Sequence, residues 1–136
     1  MLKYAFHFTI SFVLILVVLT VGCSAQQTEE QALASLRQMT SSGKLPPENV
    51  VADIESRFAN KKTGALAKLL HARIKFENKD FAGAADILKT DVIAKRTGLG
   101  DYALWLRGKA LQSAGDHAEA MAAFDSYVAQ TRSPSL

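Results

Sequence analysis

The sequence predicts an all-α fold of antiparallel helical hairpins, and three observations carry that expectation. Residues 23–136 hold twenty Ala against eight Val or Ile, a balance that favours helix over strand. Helix start and stop signals recur along the chain. Apolar and small residues also return after 34 to 36 residues, the period of stacked helix pairs.

The N-terminal stretch stands apart from this pattern. Residues 4–22 contain no Asp, Glu, Lys or Arg, Lys3 is the only basic residue before them, and Val13–Leu19 is uninterruptedly apolar. A basic residue, an apolar core and then small residues form the layout of a secretory signal. Such a run enters the bilayer as a helix with its positive end on the cytoplasmic side.

Leu19-Thr20-Val21-Gly22-Cys23 follows, and it resembles the bacterial lipobox, in which a small residue precedes an obligatory cysteine. In that family the thiol receives a diacylglycerol, the signal is cut before the Cys, and the new amine is acylated. The resemblance implies a signal peptide over 1–22, lipidation at Cys23, and a polar tether over 23–27. Acyl chains contribute about 0.8 kcal/mol per buried methylene, so several hold a protein on the membrane. Ser24 stands where Asp favours inner-membrane retention, which implies the outer membrane, facing the periplasm. The single thiol excludes an internal disulfide.

The helical domain is expected over 28–131, with a tail at 132–136. Thr28 caps the first helix and Gln31 completes a capping box; Leu33, Leu36 and Met39 form its apolar stripe, and Ser41-Ser42-Gly43 ends it. Pro46-Pro47 opens the second, Pro being suited to a first turn, with Val50, Val51, Ile54 and Phe58 on its apolar face. A third runs from about Thr63 to Asn78 and carries Leu66, Leu69, Leu70 and Ile74. Asp80 caps a fourth with Ala84, Ile87 and Leu88 inward, and Val92-Ile93 extends it. A fifth spans about Asp101 to Ala114. Gly115 stops it, and Asp116 with Glu119 forms the capping box of a sixth, ending near Gln130.

A shift of 36 residues places Asp80 on Asp116, Ala84 on Ala120, Leu88 on Phe124 and Ala72 on Gly108. A shift of 34 places Val50, Ile54 and Phe58 on Ala84, Leu88 and Val92. Small residues recur where helices approach closely, larger ones where a groove is filled. Within Leu104–Tyr127, Gly108, Leu111, Gly115-Asp116, Ala120 and Phe124 have the spacing of a tetratricopeptide repeat (TPR), which this unit resembles. Lys79 stands at the turn-glycine place of the preceding unit, and Lys75 at an apolar place. The resemblance covers residues 63–131 well and 28–60 loosely. It implies hairpins stacked as a short right-handed superhelix, whose concave face holds a peptide or partner helix.

Residues suited to chemistry are sparse. His71 and His117 lie on different helices without metal-ligand spacing, and His117 is expected to pack at a helix turn. No nucleophile–base pattern is present, and Gly98-Leu99-Gly100 lacks the preceding strand of a phosphate cradle. Lys61-Lys62 and Lys95-Arg96 are isolated basic pairs, and a net charge of +3 gives no continuous basic face, so nucleic acid is not an expected partner.

Glu55-Ser56-Arg57-Phe58, then Gly64-Ala65, resembles the Glu-Ser-x-Phe…Gly-Ala signature of lytic transglycosylases, whose Glu is the acid/base. The gap here is shorter, and Leu66-Ala67-Lys68-Leu69 replaces the following Gly-Leu-Met-Gln, so catalysis by Glu55 is not expected. Leu99–Phe124 is also similar to helical repeats in the non-catalytic N-terminal superhelix of soluble lytic transglycosylases. The sequence thus points to a non-enzymatic, lipid-anchored envelope scaffold without cofactor, binding a protein partner. The alternative is the non-catalytic superhelical part of a peptidoglycan-cleaving enzyme, a partner of the peptidoglycan machinery. Binding residues are sought on the inner helices at Arg73, Trp105 and Arg107, Trp and Arg being common interface anchors, with a core role the alternative for Trp105.

Overall fold

The structure is a computed structural model that describes residues 27–132. The leader, Cys23, most of the tether and residues 133–136 lie outside the described residues. Seven helices and no strand occur among the described residues: α1 (Glu29–Ser41), α2 (Glu48–Arg57), α3 (Lys62–Glu77), α4 (Phe81–Ile87), α5 (Val92–Arg96), α6 (Gly100–Ala114) and α7 (His117–Arg132). The all-α expectation holds. None of these helices is long and apolar enough to cross a membrane.

Local chemistry sets the ends. The Thr28 hydroxyl accepts from the Gln31 N–H at 3.3 Å, and the Thr28 N–H donates to Gln31 Oε1 at 2.9 Å, so the expected capping box starts α1. Gln27 is already tied in: its side chain donates to Ser35 Oγ, and its carbonyl accepts from Arg57.

The three left-handed residues among those described are Gly43, Lys79 and Gly115, at φ 71°, 65° and 87°. Each lies 36 residues from the next and ends one of the long helices α1, α3 and α6. At Lys79 the N–H donates to the Phe76 carbonyl, and the Asp80 N–H to the Lys75 carbonyl. At Gly115 the same pair of bonds runs to Gln112 and, from Asp116, to Leu111. Both are Schellman turns, which satisfy carbonyls left over at a helix C-terminus. Asp80 and Asp116 then accept from the N–H of Gly83 and Glu119 to start the next helix.

Helix α2 packs along α3, α3 along α4, α4 along α6 and α6 along α7, while α1 meets α3. The core follows this order as three joined clusters. Ala32, Leu36, Val51, Ile54, Ala67 and Ile74 bring together α1, α2 and α3. Leu69, Ala72, Leu88, Ile93, Ala103 and Leu106 continue it. Ala84, Ala85, Ala110, Leu111, Ala120 and Ala123 join α4, α6 and α7, with Phe76 reaching both of the last two.

Several expectations are corrected. Val92-Ile93 does not extend α4: the chain turns after Leu88 and restarts as α5, which lets Ile93, 1% exposed, enter the core beside Leu69 and Leu106. Val50 faces outward, because α2 turns Val51 and Ile54 to the core. Pro47 occupies the cap position of α2, with Glu48 first in the helix. At α7 only the Asp116 half of the capping box forms; the Glu119 carboxylate instead accepts from Arg107 Nη2 at 2.9 Å. His117 is exposed and does not pack at its turn.

Candidate interaction groove

Helices α1 and α3 line one groove with the same helical spacing. On α1 the positions are Leu33, Leu36, Arg37 and Thr40; on α3 they are Leu66, Leu69, Leu70 and Arg73. Offsets of three, four and seven residues fall on one face of an α-helix. The two faces line an open groove of about 320 Å³, to which Leu99 and Tyr102 at the start of α6 also contribute. Ligand pockets commonly span about 300–1,000 Å³, so this one suits a few apolar side chains.

The charged lining residues are both cations. Arg73 Nε donates to Glu77 Oε1 at 2.8 Å and Nη1 to the Tyr102 hydroxyl at 3.0 Å, which ties α3 to α6. The Glu77 carboxylate first, then the Tyr102 hydroxyl, raise the Arg73 pKa above its ordinary value. Arg37 makes no ion pair among the described residues. The Trp105 ring, not itself a lining residue, stacks on Tyr102, with centroids 5.7 Å apart. Trp105 and Leu99 are each 40% exposed.

The expected binding residues therefore separate. Arg73 lines the groove, and Trp105 stands next to it on Tyr102. Arg107 does not join them: it points toward α7, pairs with Glu119, and its Nε is buried without a partner. Arg37 was not among the expected residues. The signal for it is the 36-residue period, which places Arg37, Arg73 and Lys109 in register, and likewise Leu33, Leu69 and Trp105.

The opposite side of α3 carries an ion-pair network. At 100° per residue, Lys68, His71 and Lys75 lie half a turn away from the leucine face. Glu55 Oε1 accepts from Lys68 Nζ at 3.1 Å, and Glu55 Oε2 lies 2.8 Å from His71 Nδ1. Glu48 reaches His71 Nε2 at 3.4 Å and Lys75 Nζ at 2.9 Å, and Lys75 also meets Asp80 at 3.1 Å. Lys75 thus has a partner at the place where the repeat pattern expected an apolar residue.

The Glu55-Ser-Arg-Phe…Gly64-Ala stretch has a packing role in this setting. Glu55 binds α2 to α3, Phe58 packs on the first core cluster, and a Cβ on Gly64 would stand 1.9 Å from the Phe58 carbonyl oxygen. Only glycine admits that approach. No group of three or more His, Cys, Asp or Glu that would hold a metal occurs among the described residues. Protein-family models, curated proteins and solved structures contain no match to this chain.

Proposed function

We propose that this chain is a non-enzymatic, lipid-anchored protein of the bacterial cell envelope whose TPR-like helical domain scaffolds a protein–protein contact. One observation carries the reading: a leucine-floored groove with arginines on its rim, open to solvent between α1 and α3. Exposed apolar surface rimmed by polar residues marks interaction sites. The left-handed turns spaced by 36 residues, and the packing of α3 along α4, α4 along α6 and α6 along α7, support hairpins stacked in the TPR manner. The anchor rests on the apolar leader and on Gly22-Cys23. The outer membrane, facing the periplasm, is the proposed address.

A photo-crosslinking residue in place of Leu66 tests the scaffold. It is expected to capture an envelope protein in intact cells, whereas the same residue in place of Met121, 68% exposed and outside the groove, captures none. Equal capture at both positions refutes the groove as the contact. For the anchor, palmitate-analogue labelling is expected to vanish in Cys23→Ala; unchanged labelling refutes lipidation.

The similarity of Leu99–Phe124 to the superhelix of soluble lytic transglycosylases favours a second reading, the non-catalytic superhelical part of a peptidoglycan-cleaving enzyme. It predicts that this chain alone leaves a peptidoglycan zymogram blank.

A further inference from the structure

We propose that the occupant of the groove is an acidic amphipathic α-helix of a partner protein, an inference that rests on the scaffold reading. Two features of the groove select this ligand. The first is charge. Arg37 and Arg73 are the charged lining residues, and no carboxylate lines the groove with them. Glu77, not a lining residue, already pairs with Arg73, and Arg37 has no ion-pair partner among the described residues. A ligand bringing carboxylates to this rim gains charge-assisted hydrogen bonds.

The second feature is the lack of backbone partners on the floor. The lining positions of α1 and α3 sit inside helices, where peptide groups already bond to one another. The Thr40 hydroxyl donates to the Leu36 carbonyl at 2.9 Å, and the Leu99 N–H donates to Thr97 Oγ1 at 3.1 Å. An extended peptide pressed on these leucines would find no backbone to bond to, and those of its N–H and C=O groups turned to the floor would be costly to bury. A helix satisfies its backbone internally and offers a stripe of side chains. The leucine face takes the apolar stripe, and carboxylates flanking it reach Arg37 and Arg73.

The test uses the full chain in phosphatidylcholine nanodiscs, with empty nanodiscs as blank. The probe is a fluorescent designed peptide of about 14 residues, with Leu at helical i, i+3, i+4 and i+7 and Glu flanking the stripe. A second peptide carries Lys for each Glu, and a third a central Pro. The acidic helix is expected to bind at least about tenfold more tightly than either control. Arg37→Glu is expected to weaken the acidic peptide by about tenfold and to strengthen the lysine peptide, a gain that an unfolded variant would not show.

Equal affinity for the acidic and lysine peptides, or no loss on adding Pro, overturns the proposal. So does binding of dodecanoate without binding of the acidic helix, which assigns the groove to a lipid chain. If crosslinking from Leu66 still captures an envelope protein in that event, the scaffold reading stands and the helix assignment alone falls.

Discussion

The ring of Phe124 in α7 covers the bare Cα of Gly108 in α6: a Cβ on Gly108 would stand 2.6 Å from Phe124 Cε1. One period earlier the equivalent pair is Ala72 and Leu88, both in one buried cluster. The smaller residue has lost a methyl where the larger one has become a ring. Gly108→Ala forces the ring outward; overpacking costs about 1–3 kcal/mol, against about 1 kcal/mol gained in helix propensity. A net loss near 1 kcal/mol is expected in urea denaturation. Gly64→Ala is expected to cost more, because the obstructing atom is the Phe58 backbone oxygen and not a side chain. An unchanged midpoint for Gly108→Ala would mean that the ring swings clear without loss.

Lys79 holds the left-handed conformation that Gly43 and Gly115 hold at the equivalent turns. A non-glycine residue there costs roughly 1–2 kcal/mol through Cβ contact with the backbone. Lys79→Gly removes that contact while keeping the Schellman bonds, and gives back part of the gain as unfolded-chain entropy. A stabilisation of about 0.5–1 kcal/mol is expected. Gly115→Ala is the converse and is expected to destabilise. A loss of stability in Lys79→Gly would show that the lysine side chain contributes more than its backbone strain costs.

What the sequence made legible here is local. The Thr28–Gln31 box, the cap at Asp80 and the stop at Gly115 each depend on residues a few places apart, and each formed as expected, while Asp116 keeps its half of the box expected there. What it hid depends on partners far along the chain. Ile93 draws α5 away from α4 because Leu69 and Leu106 offer it a core, and nothing near Ile93 announces them. Glu119 leaves its own cap for Arg107, twelve residues away. Arg73 stands among the candidate binding residues of the sequence and lines the groove, whereas Arg37 lies on α1, where the repeat resemblance is loose. Left-handed turns at Gly43, Lys79 and Gly115 make the 36-residue register plain.

The Glu48–Lys75–Asp80 bridge is expected to make a small part of the stability acid-sensitive. Its Lys75 hydrogen bond does most to hold the Glu48 carboxyl below its ordinary pKa, His71 adds to this, and burial opposes it. Lys75 and then the Gly83 N–H lower Asp80, and the two carboxylates raise Lys75. A lowered carboxyl adds stability above its unfolded pKa and loses it as pH falls through the folded value. A raised lysine adds stability below its unfolded pKa and loses it as pH rises through the folded one. The contribution is therefore complete between about pH 5 and pH 10 and fades below about pH 4. Urea midpoints from pH 3 to 7 are expected to fall less steeply in acid for Lys75→Met, while Asp91, lowered by Lys95, keeps its share in both proteins. Parallel acid limbs would exclude the bridge as their cause.

Ile93 tests whether α5 is a structural part of the stack or a surface turn. The helix has five residues, too few to be stable alone, since isolated helices need about 12–15. Its one buried side chain is Ile93, 1% exposed, which joins Leu69 of α3 to Leu106 of α6 in the middle cluster. Removing three carbons there takes away both buried apolar area and the contact that holds α5 in place. Ile93→Ala is expected to cost about 2–5 kcal/mol and to open residues 89–99 to fast amide exchange. Met121→Ala, on a side chain 68% exposed, is expected to change stability by no more than about 0.5 kcal/mol. If Ile93→Ala behaved like Met121→Ala, the stack would hold without α5, and the break after Leu88 would need another cause.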